Sequence, residues 1–313
     1  MLWLKLGFLC LLSIPTLKSS SDQLHILLDE ENIISVEKKD LMIELVDIPI
    51  LHHDQVESLT SEISHQVYTP PKNAYIDDRN QIKSEVVGYK LHHHKFMEHL
   101  NDFFYSKGSK VVKVPLLMVY PQVDSELLAN ISTVKIGQYR TYFNNHNEER
   151  SQNIELATKK INNTVVFPGE VFSFNKVVGK RTKAKGYMKA PVIVKGELSE
   201  DIGGGICQVS STLYNAVDHA GVEIVELYHH SKGVHYVPKG RDATVSWYGP
   251  DFTFRNSYNQ PLLIRGRVLG GQVLISIYSS DFLEYKNRQV PMASSDLPEE
   301  SPIEDHVNHP IRD

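Results

Sequence analysis

The sequence predicts an α+β protein of two domains. Its 313 residues are enough for about two domains of roughly 150 residues each. Apolar residues recur at both the helical and the strand period. In the second half the helical patterns come early and the strand patterns late, which is the α+β arrangement.

The first segment is a leader, residues 1–21. Leu6-Gly7-Phe8-Leu9-Cys10-Leu11-Leu12-Ser13-Ile14 is apolar, Lys5 precedes it and Lys18-Ser19-Ser20-Ser21 follows. It is shorter than the ~20 residues of a spanning helix and suits a secretory h-region. Cleavage is expected before Asp22, with an uncleaved anchor as the alternative. The protein is therefore expected to be exported, touching a membrane only through that leader.

Residues 22–124 form the first predicted domain. Asp40 to Ile50 reads as a strand. Val56, Leu59, Ile63 and Val67 mark a helix behind Asp54 as N-cap, ended by Pro70-Pro71. Ala74–Ile76 and Ile82–Val87 flank Asp77-Asp78-Arg79-Asn80, a hairpin turn. Phe96, Leu100, Phe103 and Phe104 mark a second helix, and Val112, Val114, Leu116 and Met118 alternate as a strand. The order β-α-β-β-α-β is the split pattern of ferredoxin-like domains.

Residues 125–285 form the second. Asn147 to Asn163 reads as a helix with Ile154, Ala157 and Ile161 on one face. Val209, Leu213, Ala216, Val217 and Ala220 give another, stopped by Gly221. Strands are expected at Val222–Leu227, Val234–Val237, Ala243–Tyr248 and Phe252–Arg255. A hairpin turns at Gly270-Gly271. Residues 286–313 are rich in Pro, Ser and acids and are expected to be a disordered tail.

The net charge of -5 and the lack of a long basic run give no reason to expect nucleic-acid binding. Of the two cysteines, Cys10 leaves with the leader, so Cys207 is alone. A lone thiol in an exported chain is either reactive or a small buried hydrophobe.

The chemistry concentrates in Gly203-Gly204-Gly205-Ile206-Cys207-Gln208-Val209-Ser210-Ser211-Thr212-Leu213-Tyr214. The glycines permit unusual backbone conformations and close approach. Cys207 falls at the first turn of the following helix, where the dipole favours thiolate. The N–H groups there suit an oxyanion, which makes Gly204, Gly205 and Gln208 candidates for oxyanion or substrate binding. A cysteine nucleophile needs a base, and His230 is the first candidate, with His229, His235 and His219 competing and geometry deciding. His219, about three turns along the Cys207 helix, is expected to be too far. Asp242 is the candidate to orient it, against a plain ion pair or turn. Arg181 suits a carboxylate, against a salt bridge. His52-His53 and His92-His93-His94 lack the spacing of a metal site, so no metal and no cofactor are expected.

Asn175 to Thr182, Gly186-Tyr187, Ala190-Pro191, the glycine–cysteine run, His230-Ser231, Tyr236-Val237-Pro238 and Gly240 to Val245 together resemble the VanW domain. The first segment, with Pro71-Lys72-Asn73-Ala74 and Val86-Val87-Gly88, resembles the peptidoglycan-binding domain that often precedes it. The resemblance implies work on peptidoglycan in the cell wall. Some clostridial VanW-domain proteins are L,D-transpeptidases whose cysteine matches Cys207. Members often read Glu-Arg-His-x-His-Ser, where this chain has Glu226-Leu227-Tyr228-His229-His230-Ser231. The expected function is an exported cysteine acyltransferase, L,D-transpeptidase-like, acting on peptidoglycan stem peptides. The alternatives are a non-catalytic wall-binding or scaffold protein and a cysteine endopeptidase.

Overall fold

A computed structural model describes residues 22–45, 48–194 and 197–295. The expected leader, residues 1–21, lies outside them. The chain divides into two units, residues 1–72 with 86–122, and residues 73–85 with 123–313.

The first unit opens with β1 (Gln23–Leu28) and β2 (Glu31–Glu37), an antiparallel hairpin. A 3-10 turn at Lys38–Leu41 leads to β3 (Met42–Leu45) and β4 (Ile48–Leu51), a second hairpin. The expected Asp40–Ile50 strand is thus a turn and two strands. Helix α1 (His53–Val67) follows, capped at His52 rather than Asp54, which sits in its first turn. Next come β5 (Tyr75–Ile76) and β6 (Ile82–Lys83), a hairpin that belongs to the second unit. The first unit resumes with β7 (Gly88–Leu91), α2 (His93–Tyr105), β8 (Lys110–Lys113) and β9 (Leu116–Val119). Pro115 has no N–H to give a ladder, and it divides the expected Val112–Met118 strand into β8 and β9.

The ferredoxin-like sheet is not formed. Its place is taken by a three-stranded sheet ordered β2-β1-β8, with β1 and β8 parallel, while β3-β4 and β7-β9 pair separately. The central strand is β1, whose Leu24 and Ile26 are fully buried. They pack with Val56, Leu59 and Ile63 of α1 and Phe96, Leu100 and Phe103 of α2. The two helical stripes read from the sequence are therefore the core of this unit.

The second unit begins with α3 (Ser125–Ile131), capped by the Asp124 side chain, and β10 (Val134–Tyr142). Helix α4 (Glu148–Ile161) starts from Asn147, whose side chain accepts from Arg150 N. After β11 (Thr164–Val166), β12 (Val171–Ser173) and α5 (Phe174–Val178) comes a hairpin of β13 (Lys189–Val194) and β14 (Glu197–Ile202). Helix α6 (Ile206–His219) is followed by β15 (Glu223–Glu226), β16 (Thr253–Arg255), β17 (Leu262–Leu269) and β18 (Gln272–Ser279). Strands order as β10-β18-β17-β11 in one antiparallel sheet and β12-β16-β15 in another.

The core joins α4, α6 and these sheets through Ile154, Ile161, Val209, Leu213, Val217, Phe252, Ile264 and Ile275. Helix α6 lies unusually close to β10. A side-chain carbon at Gly137 would come within 2.4 Å of Ala216 O, so only glycine fits there. That contact fixes the height of α6 over the sheet, and with it the position of Cys207.

Neither Val234–Val237 nor Ala243–Tyr248 is a strand; both lie in irregular chain between β15 and β16. Their apolar residues are nonetheless core, with Val237, Ala243 and Val245 buried. The polar face of α6 replaces the missing ladder. Ser210 Oγ donates to Ala243 O, Ser211 Oγ accepts from Ala243 N, and Asn215 Nδ2 donates to Arg241 O.

The expected tail is only partly loose in kind. Residues 296–313 lie outside the described residues. Lys286–Ala293 carries no helix or strand but is anchored: Asn287 donates to Ile136 O and His219 O, and Arg288 pairs with Asp218. Tyr139 donates to Pro291 O, and Val290 and Ala293 pack on the core. Among the described residues no helix is long and apolar enough to cross a membrane.

Candidate active site

Cys207 is the second residue of α6, half-buried, with its thiol 3.6 Å from Val245 O. The helix starts from Gly205, whose φ of +99° is a left-handed conformation that suits glycine. An added side-chain carbon there would also press on Arg150 and Ile154 of α4 at 3.0 Å. The glycine thus sets both the direction of the turn and the contact between α6 and α4. Asn153 holds the run from behind, donating to Gly204 O and Met188 O.

His230 and Asp242 come from the irregular chain after β15. Asp242 Oδ2 accepts twice from His230, from its backbone N–H at 2.7 Å and from Nδ1 at 2.7 Å. Both side chains are more than nine-tenths buried. Cys207 is near enough to the imidazole to raise its pKa, while the hydrogen bond its thiol donates goes to Val245 O. With Nδ1 committed to Asp242, Nε2 is the nitrogen left for sulfur. Burial pulls the His230 pKa down, but Cys207 and Asp242 outweigh it, and the net direction is up. Burial pushes the Asp242 carboxyl up, and the hydrogen bonds and charge of His230 hold it below the usual range.

The competing histidines separate by geometry. His229 Nδ1 lies 2.8 Å from Asp242 O on the exposed flank, while His219 holds Gln138 at the far end of α6. His92 has a structural use, accepting from Lys95 N to cap α2.

Gln208 does not join the site. Its side chain is fully buried and spent: it donates to Thr141 Oγ1 and Tyr142 O and accepts from Arg150 Nη2 at 2.7 Å. Its N–H goes to Gly205 O, and that of Ile206 to Gly203 O. Among the described residues the Cys207 N–H meets no acceptor, which leaves it open to donate. Gly204 and Gly205 shape this turn.

Arg181 packs its stem over the glycine run, placed so that a side-chain carbon at Gly203 would lie 3.4 Å from its Cγ. Its guanidinium sits 5.9 Å above the Phe174 ring. Burial lowers its pKa, and negative charge at Cys207, Tyr187 and Asp251 works against that.

A family profile described as VanW like protein matches residues 149–278. Protein YoaR of Bacillus subtilis (strain 168) is 50% identical over 279 residues, covering 89% of this chain and 92% of that one. The chain belongs to the VanW family. Vancomycin B-type resistance protein VanW of Enterococcus faecalis (strain ATCC 700802 / V583) is 32% identical over 116 residues, 36% of this chain and 42% of that protein. No solved structure matches the chain.

The VanW match contains Arg181, Cys207, His230 and Asp242 together. Three further residues tie the site to its surroundings and were not singled out from the sequence. Ser211 Oγ donates to Cys207 O at 2.6 Å. Arg241, beside Asp242, donates to Asn215 Oδ1 and to Asp218 and lies over the Tyr214 ring. Tyr236 has its ionisation pushed up by burial and by charge at Cys207. A signal for Ser211 was present in the sequence: Ser, Thr and Asn fill the Cys207 helix at positions that apolar packing does not explain.

Proposed function

We propose that this VanW-family protein is an exported cysteine acyltransferase that acts on the stem peptides of peptidoglycan. The observation that carries the reading is the His230 imidazole held on the buried Asp242 carboxylate, with Cys207 near enough to raise its pKa. A thiol packed only for its bulk has no need of a buried, oriented imidazole.

The chemistry follows from that arrangement. Cys207 passes its proton to His230 Nε2, and the sulfur attacks the carbonyl carbon of an L–D peptide bond. The Cys207 N–H donates to the developing oxyanion. The C–N bond breaks, and the departing amine of the terminal D-residue takes the proton from His230. A thioester remains. The amine of a neighbouring stem attacks it, gives a proton to His230 and releases the sulfur, completing a crosslink. Water in the amine's place gives hydrolysis. Asp242 keeps the ring in the required tautomer and favours the imidazolium.

Peptidoglycan is supported by the family resemblance and by the relative named for vancomycin resistance. Export is supported by the apolar leader at residues 1–21. The first unit serves to place the enzyme on the wall. Past the leader it holds no cysteine, and among the described residues its histidine–carboxylate pairs, His53 with Glu57 and His94 with Glu98, are exposed, unlike His230 with Asp242. The test is chromatography of tetrapeptide muropeptides incubated with wild-type and Cys207→Ser protein. Crosslinked or trimmed products should form with the first and not the second. Equal product with both would make Cys207 a packing residue and favour a binding or scaffold role.

A further inference from the structure

The net charge of -5 conceals a local reversal. Between Glu170 and Glu197 the chain carries seven Lys or Arg residues and no Asp or Glu. This stretch includes α5, the loop with Arg181, and β13. Lys176, Lys180, Lys183, Lys185 and Lys189 are exposed, and none of them forms an ion pair among the described residues.

Arg181 is the inner end of this basic stretch, and it is the anomalous member. Both terminal nitrogens of its guanidinium are buried without a hydrogen-bond partner. Asp251, the acid whose charge reaches it, is engaged elsewhere: its oxygens accept from Asn175 N, Phe252 N and Ser173 Oγ. Leaving a buried cation without a partner is strongly destabilising, so a resting protein keeps one only where something else completes it. Arg181 lies over the glycine run directly ahead of Cys207. Its neighbour Lys180 donates to Tyr248 Oη at 2.6 Å, in the loop that begins at Val245 beside the thiol.

We propose that Arg181 receives the free carboxylate at the end of the acyl donor, and that the exposed lysines around it draw in peptides rich in unmodified carboxylates. The proposal rests on the acyltransferase reading and narrows it. A planar guanidinium takes a carboxylate through two parallel hydrogen bonds. With that carboxylate fixed, the bond presented to Cys207 is the one next to the peptide's end. Donors are then chain ends, not internal bonds, which argues against an endopeptidase. Stems whose side carboxylates are amidated are poorer ligands, because they lose attraction to the lysines.

The test compares two short peptides with the same L–D bond, one ending in a free carboxylate and one in a carboxamide. Equilibrium binding is measured to full-length Cys207→Ser protein, which cannot form the thioester. The carboxylate peptide should bind about tenfold tighter or more, the range of charged hydrogen bonds. In an Arg181→Gln background the ratio should fall to about one. Lys180→Gln with Lys183→Gln should weaken binding and flatten its salt dependence but leave the ratio intact. Arg181→Gln should melt no lower than its parent, since an unpartnered buried charge is gone. Should it misfold, the comparison of the two peptides on the parent protein still decides. Equal binding of carboxylate and carboxamide there overturns the proposal, as does a ratio that survives Arg181→Gln. Selective binding with no acylation of wild-type Cys207 would instead overturn the acyltransferase reading and leave the carboxylate site standing.

Discussion

Asp242 receives two hydrogen bonds from a single residue, and this doubling makes the site sensitive to pH. His230 has its pKa raised above 6.5 in the folded chain. A raised basic group contributes stability that is full below its unfolded value and is lost as pH rises through the folded one. Asp242 is lowered below 3.8, so it stays charged across that window and loses its own contribution only in stronger acid. Asp242→Asn should therefore lower the melting temperature more at about pH 5.5 than at about pH 9, where imidazole is neutral in both proteins. Thermal melts of the two proteins at those pH values check this, and an equal gap at both would place the His230 charge outside the stability balance. At this scale the sequence was most informative. A lone cysteine after three glycines pointed to Cys207, with His230 and Asp242 as candidates beside it, and the structure brings His230 and Asp242 together. Gln208 was misread because the sequence does not say which way a buried amide turns. The answer lay in Arg150, Thr141 and Tyr142, all distant in the chain.

Among the elements, α6 carries the site on one side and supports it on the other. Its Ser210, Ser211 and Asn215 satisfy backbone groups of the irregular chain that brings Asp242 to His230. Ser211→Ala would leave the buried Ala243 N–H without an acceptor, at about 1–3 kcal/mol. The expected outcome is a loss of stability of that size in urea titration, together with slower acylation, while Cys207 itself is untouched. A variant as stable as wild type would show that water or a neighbour takes over the bond. Alternation of apolar residues at Val234–Val237 and Ala243–Tyr248 suggested strands because burial was real and only the ladder was absent. The β1-β2 hairpin is hard to read from the sequence for the opposite reason. Its turn, Asp29-Glu30, takes φ of +48° and +68° without the glycine that usually announces such a turn. Helices α1, α2, α4 and α6 were legible, since each has an apolar stripe wide enough to read without its partner.

For the molecule as a whole, the expected boundary at residue 124 is crossed by the chain. Hairpin β5-β6 belongs with the second unit, where Arg265 donates to Ile76 O and to Asn163, and reaches Asp77 O. Arg265 is 8% exposed. A fragment starting at Val123 would keep this cation buried but remove its Ile76 and Asp77 acceptors. Arg265→Met should then raise the melting temperature of the fragment and lower that of the full chain. The same direction in both would mean that the hairpin does not hold Arg265. No local pattern announces this pairing, because residues 76 and 265 meet only after folding. The C-terminal segment was misjudged similarly: composition favoured disorder, but Asn287 and Arg288 find acceptors on β10, α6 and Asp218.

Whether Cys207 is a nucleophile served by His230 is decided by intact-protein mass spectrometry. Wild-type protein is mixed with a tetrapeptide donor, quenched in acid within seconds and weighed. The expected result is an added mass equal to the donor less its terminal D-residue, located on Cys207. Cys207→Ser should show none, and His230→Ala should accumulate it far more slowly. Wild-type protein that never gains the mass while crosslinks still form, or a Cys207→Ser protein that gains it, would contradict the account.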